Sequence, residues 1–388
     1  MAASRGPIIV FGILFWYPLA GVTYQFLHYL IALRRLGWDP YYVEDSSRWG
    51  VYDPVRNDKN PDPRENIEAV VPALAAHGFG DRWAFRSHHE GGRVYGLGEA
   101  RLRALYREAV ALLNVTASQE LREEHLVCPR RIYVESDPVK CQILAAQGDP
   151  TTLAELSKHD SLFSFGENLG RADCGVPVRG FTWLPTRQPV VLDLWTAPIR
   201  DGGAYTTIAT WHSDNDVVYE GEAYYWSKDR EFEKVIELPR RRAVPFELAT
   251  QVDAATAARL SGLGWRVTDP LAVSSDAGRY RAYIQGSRAE FTVAKDQNVR
   301  LRSGWFSDRS ACYLAAGRPV VTQDTGFGNV LPTGKGLFAF RTLEDALAAV
   351  DAIETDYAGH CRAAREIAAE YFDAERVVGS LLERAGLG

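Results

Sequence analysis

Apolar and amphipathic segments alternate from the start of the chain. Residues 8–15 are continuously apolar, which predicts a parallel strand covered on both faces. Apolar residues at helical spacing over 23–36 predict a helix that ends at Gly37, and residues 39–44 predict a second strand. The chain therefore opens with a βαβ unit, which is typical of a doubly wound parallel sheet.

The same alternation continues to the end of the chain. Strands are predicted at 131–135 and near 161–165, and a second series of strands begins at 204–210. A helix is predicted over 220–238, within this second series. At 388 residues the chain exceeds the size of one ordinary core. We therefore predict an α/β protein of two Rossmann-like, doubly wound domains that face each other across a cleft.

The domain boundaries follow from composition. Residues 174–189 carry three prolines and read as an extended crossover between domains. This predicts a first domain over 1–184, a second over 185–372, and a terminal helix over 373–388 that returns to the first domain.

Composition narrows the class of protein. Hydrophobic residues make up 46% and charged residues 24%, and the net charge is -6. These values fit a soluble enzyme and argue against a nucleic-acid partner, which usually requires a basic face. The five cysteines show no CxxC spacing, which favours reduced thiols and a cytoplasmic location.

The apolar N-terminus has two interpretations. Residues 7–22 resemble the core of a signal peptide, but only Arg5 precedes them and no clear cleavage site follows. A buried first strand is the favoured interpretation. No run of eighteen apolar residues appears, so no transmembrane span is expected.

The stretch 302–328 carries the main functional prediction. Ser303 and Ser307 are candidate N-caps of a helix that ends at Gly317, and Pro319 opens the following strand. A helix N-terminus offers free N–H groups and positive potential to a phosphate. A second, glycine-rich loop follows that strand. Together the loops predict a nucleotide-diphosphate site formed by Arg302, Ser303, Gly304, Trp305, Phe306, Ser307, Arg309, Asp324, Thr325, Gly326, Phe327 and Gly328.

Alternative roles remain open within this set. Trp305 and Phe306 either stack on a base or sugar or cover the core. Arg309 either binds the ligand, points to solvent, or pairs with the neighbours of Asp308. The segment 324–328 either holds sugar or ribose hydroxyls or forms a plain turn.

Candidate catalytic groups lie in predicted loops after strands. Asp45, His88 and His212 are the candidates for deprotonating an acceptor hydroxyl, with Glu44, His89, Asp137 and Glu167 in similar positions. Adjacent histidines do not share a helix face, and no DxD-type motif follows a strand. No metal site is therefore predicted, and a metal-independent reaction is expected.

Two motifs carry a family resemblance. The turn AAGRPVV at 315–321 and the helix start LEDAL at 343–347 resemble the donor half of GT-B glycosyltransferases, in the group-1 and spore-maturation-protein-B-like branches. The resemblance covers about residues 280–388 well and residues 8–45 weakly. In the first loop, Pro18, Gly21, Val22 and Tyr24 resemble the acceptor-side loop of that family.

The resemblance implies both an activity and its limits. It implies transfer of a sugar from a nucleoside-diphosphate sugar, of UDP or dTDP type, to a small-molecule or cell-surface acceptor, without a further cofactor. The retaining branch carries an E-x7-E signature where this chain has residues 303–309, and the inverting branch often has a histidine in the first loop. This chain has neither, so the stereochemistry stays open. A nucleotide-sugar epimerase and a non-catalytic two-domain binding protein remain alternatives.

Overall fold

The computed structural model describes residues 4–45 and 50–388. The first sheet has the strand order β10-β9-β8-β7-β1-β2-β5-β6. A separate hairpin pairs β3 with β4. The bounds are β1 (Pro7–Phe11), β2 (Asp39–Glu44), β3 (Val51–Asp53), β4 (Asp58–Asn60), β5 (Trp83–Ser87), β6 (Arg93–Gly96), β7 (Ala111–Val115), β8 (Arg131–Glu135), β9 (Ser161–Ser164) and β10 (Trp183–Pro185).

The first sheet is doubly wound. Its strands are parallel, except that β6 runs antiparallel to β5. The chain moves outward from β1 through β2 to β5 and then returns to β7 on the other side of β1. The strand order therefore reverses between β1 and β7, which is where such sheets usually bind ligands.

The first strand is shorter than the apolar run predicts. β1 ends at Phe11, because the carbonyl of Gly12 accepts a hydrogen bond from Gln119 and the amide of Leu14 donates to Tyr42. Buried side chains thus replace a neighbouring strand as partners. The helices of this half are α1 (Ala20–Arg35), α2 (Arg64–Ala76), α3 (Glu99–Glu108), α4 (Lys140–Ala146) and α5 (Pro150–Leu156).

The second sheet repeats the same winding. Its strands are all parallel, in the order β15-β14-β11-β16-β17-β18, so the order reverses between β11 and β16. A small hairpin of β12 and β13 interrupts the connection after β11. The bounds are β11 (Tyr205–Ile208), β12 (Val217–Tyr219), β13 (Glu222–Tyr224), β14 (Phe246–Ala249), β15 (Trp265–Thr268), β16 (Ala289–Thr292), β17 (Val320–Gln323) and β18 (Leu337–Phe340).

The helix predicted over 220–238 is wrong. The segment instead contains β13, a loop, and two short helices, because residues 217–219 and 222–224 pair as a hairpin. The helices of this half are α6 (Asp229–Glu233), α7 (Leu238–Arg241), α8 (Ala254–Gly262), α9 (Pro270–Ser274), α10 (Ala277–Gly286), α11 (Asp296–Arg300), α12 (Asp308–Ala315), α13 (Leu343–Thr355), α14 (Tyr357–Ile367) and α15 (Ala374–Arg384).

The chain passes between the two domains twice, and the two passing segments lie side by side. Val190 forms a parallel bridge with Asp373, next to a π-helical turn over Ala368–Phe372. Trp195 is fully buried between Tyr24 of α1 and Tyr280 of α10. One apolar core therefore spans both domains. The predicted boundaries at residues 184 and 372 stay predictions.

The terminal helix α15 lies against the first domain. Arg35 of α1 pairs with Glu375 at 3.0 Å. None of the helices in the described ranges is long and apolar enough to cross a membrane.

Candidate functional site

The start of α12 faces the boundary between the domains. Ser307 precedes the helix in an extended conformation, and its side chain makes no capping hydrogen bond. The first N–H groups of a helix have no partner within the helix, and they carry positive potential. The predicted anion-binding geometry is therefore present at Ser307.

Lys228 brings an amino group that can take up a positive charge to the same region. It precedes α6 at the end of the long connection that follows β11, and it is 7% exposed. Burial lowers the pKa of Lys228 well below its ordinary value, and the charges of Arg309 and Lys295 lower it further. In the described part of the chain, no hydrogen-bond acceptor or carboxylate contacts its Nζ.

Arg309 lies where the order of the second sheet reverses. Its Nε donates to Glu290 Oε1 at 2.6 Å, a second nitrogen donates to Thr292 Oγ1 at 3.0 Å, and a third donates to the carbonyl of Ile208. These partners belong to β11 and β16. The guanidinium is therefore held between two strands by Glu290 rather than directed to solvent, and its contact with a ligand stays a prediction.

Two carboxylates complete this cluster. Asp137, after β8, forms an ion pair with Lys295, after β16. Burial, and then the negative charge of Asp137, raise the pKa of Asp308 to about 7. The region therefore holds cations and carboxylates close together in a poorly solvated setting, an arrangement typical of functional sites.

Several buried polar atoms of this region lack a partner among the described residues. They are Asp137 Oδ1, Glu290 Oε2, Gln297 Oε1 and Asn298 Nδ2. Buried polar atoms are usually hydrogen-bonded, so a group of exceptions beside Lys228 is consistent with a polar ligand site.

The two predicted phenylalanines belong to the core. Phe306 is 4% exposed and packs on Phe327 and Phe372, with ring centroids 5.3 and 5.4 Å apart. Phe327 is 2% exposed. Phe306 therefore follows the second of its two predicted alternatives, covering the core, and the ring of Phe327 lies in the same core. A ligand contact of either residue stays a prediction. Trp305 is half-buried, and its indole N–H donates to the carbonyl of Ser136 at 2.9 Å.

Most polar side chains of the predicted donor loops have partners within the protein. Arg302 pairs with Asp173 and Asp324 at 3.2 and 3.3 Å, and Asp324 also pairs with Arg341. Ser303 donates to Asn298 at 2.7 Å, and Thr325 donates to the carbonyl of Trp305 at 2.6 Å. These side chains therefore shape the two loops, and their direct contact with a ligand stays a prediction.

The glycines of these loops serve a contact between domains. Gly304 and Gly326 have positive φ values of 79° and 88°, and both lie against Asn168 of the first domain. Gly328 is exposed. At Gly304 and Gly326, the group that lies close to the glycine backbone is therefore Asn168, in the place where a ligand was predicted.

Asp45 and His88 lie together at the carboxyl edge of the first sheet. Nε2 of His88 lies 3.0 Å from Asp45 Oδ1, and the His88 side chain is 28% exposed. Burial alone would raise the pKa of Asp45, but hydrogen bonds from His125 and His88 and the charge of Arg122 hold it below its ordinary value. A carboxylate thus orients a partly exposed imidazole, as general-base catalysis requires.

His125, Arg86 and Arg122 are members of this cluster that the sequence did not reveal. His125 Nε2 lies 2.9 Å from Asp45 Oδ2, and Arg86 and Arg122 pair with Asp45 at 3.1 and 2.7 Å. They lie in segments without a motif, so only the fold brings them together. Asp45, Glu124 and His125 could in principle hold a metal ion, but the two guanidinium groups already neutralise those carboxylates.

His212 lies in the other domain, in the loop after β11. Its two ring nitrogens contact Asp229 at 2.8 Å and Asp214 at 3.0 Å, and these hydrogen bonds raise its pKa. Both ring nitrogens of His212 therefore contact carboxylates. None of the hydrogen bonds described for Asp45 or His88 involves His212. His212 is therefore not part of the Asp45 cluster, and its catalytic role stays a prediction.

The predicted acceptor-side residues separate into two groups. Pro18 lines a cavity of about 250 Å³ with residues of α2 and the turn before α10. Tyr24 is 3% exposed and donates to the carbonyl of Ala277 at 3.0 Å, and Gly21 lies against Tyr280. Val22 packs on the shared core. Tyr24 and Gly21 therefore lie where the two domains meet, and the acceptor contact of all three residues stays a prediction.

Comparisons with known proteins identify the fold. No protein-family model matches the chain, and no curated protein matches it. An α-glucosyltransferase solved with UDP is similar at TM-score 0.58 and 10% identity, covering 98% of this chain and 100% of that one. Another complex of an α-glucosyltransferase contains a 13-mer DNA.

Two further structures are similar over the same length. HepE of Anabaena in complex with UDP-glucose matches at TM-score 0.58 and 12% identity, covering 98% of this chain and 100% of that one. Sucrose-phosphate synthase of Thermosynechococcus elongatus matches at TM-score 0.52 and 12% identity, covering 98% and 99%. With two Rossmann-like domains that align along these chains, this protein has the GT-B fold of glycosyltransferases.

Proposed function

We propose that this protein is a metal-independent glycosyltransferase that uses a nucleoside-diphosphate sugar of UDP or dTDP type. The observation that carries the proposal is Lys228, a buried amino group without a described partner, beside Arg309 and the start of α12. Burying an unpaired charge is costly, so an anion in this position would stabilise the charged form of Lys228.

The proposed donor site would stabilise the leaving group. As the bond to the sugar breaks, negative charge develops on the diphosphate, and fixed donors at that position lower the barrier. Lys228 and the first N–H groups of α12 are the proposed donors, and Arg309 adds positive charge nearby. Because these groups supply the charge, the proposed reaction needs no metal ion.

The first domain would supply the acceptor side. We assign His88, oriented by Asp45, as the proposed base for a hydroxyl of a small-molecule or cell-surface acceptor. The net charge of -6 supports an acceptor other than nucleic acid and a cytoplasmic enzyme. The similar structures that contain UDP or UDP-glucose support a transferase over an epimerase or a binding protein.

A binding experiment tests the proposed donor site. UDP affinity is measured by calorimetry for the wild type, for Lys228→Met, and for Lys335→Met, which removes the same charge from an exposed loop. We expect Lys228→Met to weaken UDP binding by about tenfold or more, as for a lost charge-assisted contact. The control should bind like the wild type. If the wild type binds no UDP, dTDP or GDP, or if Lys228→Met matches the control, the proposed site is wrong.

A transfer assay tests the activity itself. Incubation with UDP-, dTDP- and GDP-sugars, with and without hydroxylated acceptors, should release nucleoside diphosphate faster when an acceptor is present. Interconversion of donor sugars without release would support an epimerase instead.

A further inference from the structure

Asn168 connects the first domain to both donor loops of the second. It is fully buried in the loop after β9. Its side-chain amide donates to the carbonyl of Arg302 at 3.1 Å and to the carbonyl of Gly326 at 3.0 Å. Its backbone N–H donates to the carbonyl of Ser303 at 3.1 Å, and its Oδ1 accepts from Asn329 at 3.3 Å. One side chain thus joins the loop before α12 to the loop after β17.

The local geometry leaves no room for a side chain at Gly304 or Gly326 beside Asn168. A Cβ added to Gly326 would lie 2.4 Å from Asn168 Nδ2, and one added to Gly304 would lie 2.7 Å from its backbone nitrogen. Both glycines also have positive φ, which other residues adopt at a cost. The backbone of both loops is therefore shaped around Asn168.

The loops make further contacts with each other. Gly304 N–H donates to the carbonyl of Thr325 at 2.8 Å, and Gln188 of the connecting segment donates to the carbonyl of Phe306 at 2.8 Å. Ser307 and the first N–H groups of α12 follow directly. A change at Asn168 would therefore be transmitted to the amides that the proposed donor site uses.

We propose that Asn168 is a positioning residue for nucleotide binding, so that the first domain fixes the shape of the donor site in the second. The inference rests on the proposed function. Asn168 does not touch the diphosphate; it holds the two loops at the spacing that presents the start of α12. Donor affinity therefore depends on an amide that belongs to the opposite domain.

The variant Asn168→Asp provides a readout that general destabilisation would not produce. The carboxylate has the shape of the amide, but when ionised it has no N–H for the two carbonyl oxygens. When protonated it regains one donor, and burial among carbonyls raises its pKa. We expect UDP binding by this variant to be about tenfold weaker than the wild type at pH 8 and to recover towards the wild-type value near pH 5.

The control makes the same chemical change at another interdomain contact. Gln147 donates to the carbonyl of Val218 at 2.8 Å at an exposed position, and Gln147→Glu should bind UDP like the wild type at both pH values. Equal UDP affinity for Asn168→Asp and Gln147→Glu at pH 8, or a loss that does not recover at low pH, would overturn the inference. Failure of the wild type to bind any nucleotide would instead overturn the proposed function.

Hydrogen exchange on the wild type gives a test that needs no variant. Addition of UDP should slow amide exchange in 166–170 together with 302–309 and 324–329. Protection confined to the second domain would overturn the role of Asn168.

Discussion

The carboxylate of Asp137, which follows β8, forms an ion pair with the ammonium group of Lys295, which follows β16. The contact joins the carboxyl ends of strands from the two sheets. Lys295 Nζ also lies 3.6 Å from the ring centroid of Trp226, on the connection that leads to Lys228. The spacing of the two domains and the position of the candidate site are therefore set by the same group of residues.

Breaking this pair should destabilise the protein. We expect Lys295→Met to lower the free energy of unfolding by about 1 to 3 kcal/mol, because it leaves the partly buried carboxylate of Asp137 without its cation. Urea denaturation measures the change. The control is Arg35→Met, which breaks exposed pairs with Asp193 and Glu375 and should cost less than about 1 kcal/mol. The side chains of the three residues are 40%, 63% and 44% exposed. Equal losses for both variants would contradict the prediction.

Asp308 should make both stability and nucleotide binding depend on pH. Its pKa is raised to about 7 by burial and the charge of Asp137, whereas an unfolded aspartate titrates near pH 4. From about pH 4 to pH 7 the folded protein keeps a proton that the unfolded chain releases, so this group lowers stability as pH rises through that window. Asp308→Asn should show a smaller loss of stability between pH 5 and pH 8.

The titration of Asp308 should also affect the affinity for UDP. Ionised Asp308 would repel a diphosphate at the start of α12, so wild-type affinity should fall above about pH 7. Calorimetry at pH 6 and pH 8 on the wild type and Asp308→Asn measures the difference. A pH dependence of UDP affinity that persists in Asp308→Asn would exclude Asp308 as its cause.

His88 should affect transfer without affecting donor binding. If His88 removes the acceptor proton, His88→Asn should lower kcat by about 100-fold or more while the Kd for UDP stays within twofold. His89 is exposed and adjacent in sequence, so His89→Asn is the matched control. Steady-state transfer rates over a pH series measure the effect. An unchanged kcat in His88→Asn would remove this residue from catalysis.

Phe306 should behave as a core residue. Phe306→Ala should lower the free energy of unfolding by about 3 to 5 kcal/mol, because a cavity replaces its contacts with Phe327 and Phe372. Phe306→Leu fills part of that space and should cost less, which allows UDP affinity to be measured on folded protein. If Phe306→Leu keeps its thermal stability but loses UDP binding, the residue contacts the ligand after all.

The sequence by itself determined the winding of the sheets and the start of α12. Apolar runs such as Ile8–Phe11 and the serine, glycine and proline positions of 303–319 are local patterns, and local patterns specify strands, helices and their ends. Two Rossmann-like domains could be predicted on this basis, and the resemblance carried by residues 315–321 and 343–347 implied the GT-B fold. Asp45 and His88 could also be predicted from the sequence, because each follows a strand at the carboxyl edge of the first sheet.

Only the tertiary structure decided which side chains lack a partner within the protein and which are buried in the core. The sequence placed Lys228 inside a predicted helix. In the structure, β12 pairs with β13, and Lys228 lies in the loop that follows them. The residues around Lys228 show no periodicity that would indicate this pairing. Phe306 and Phe327 looked available in a loop, yet Phe306 packs on Phe372 of the turn over 368–372 and Phe327 packs on Phe306. Asn168 lies 135 residues before Ser303 and reaches the donor loops only when two domains dock. Partners distant in the sequence determine burial and charge, so no local pattern could reveal them.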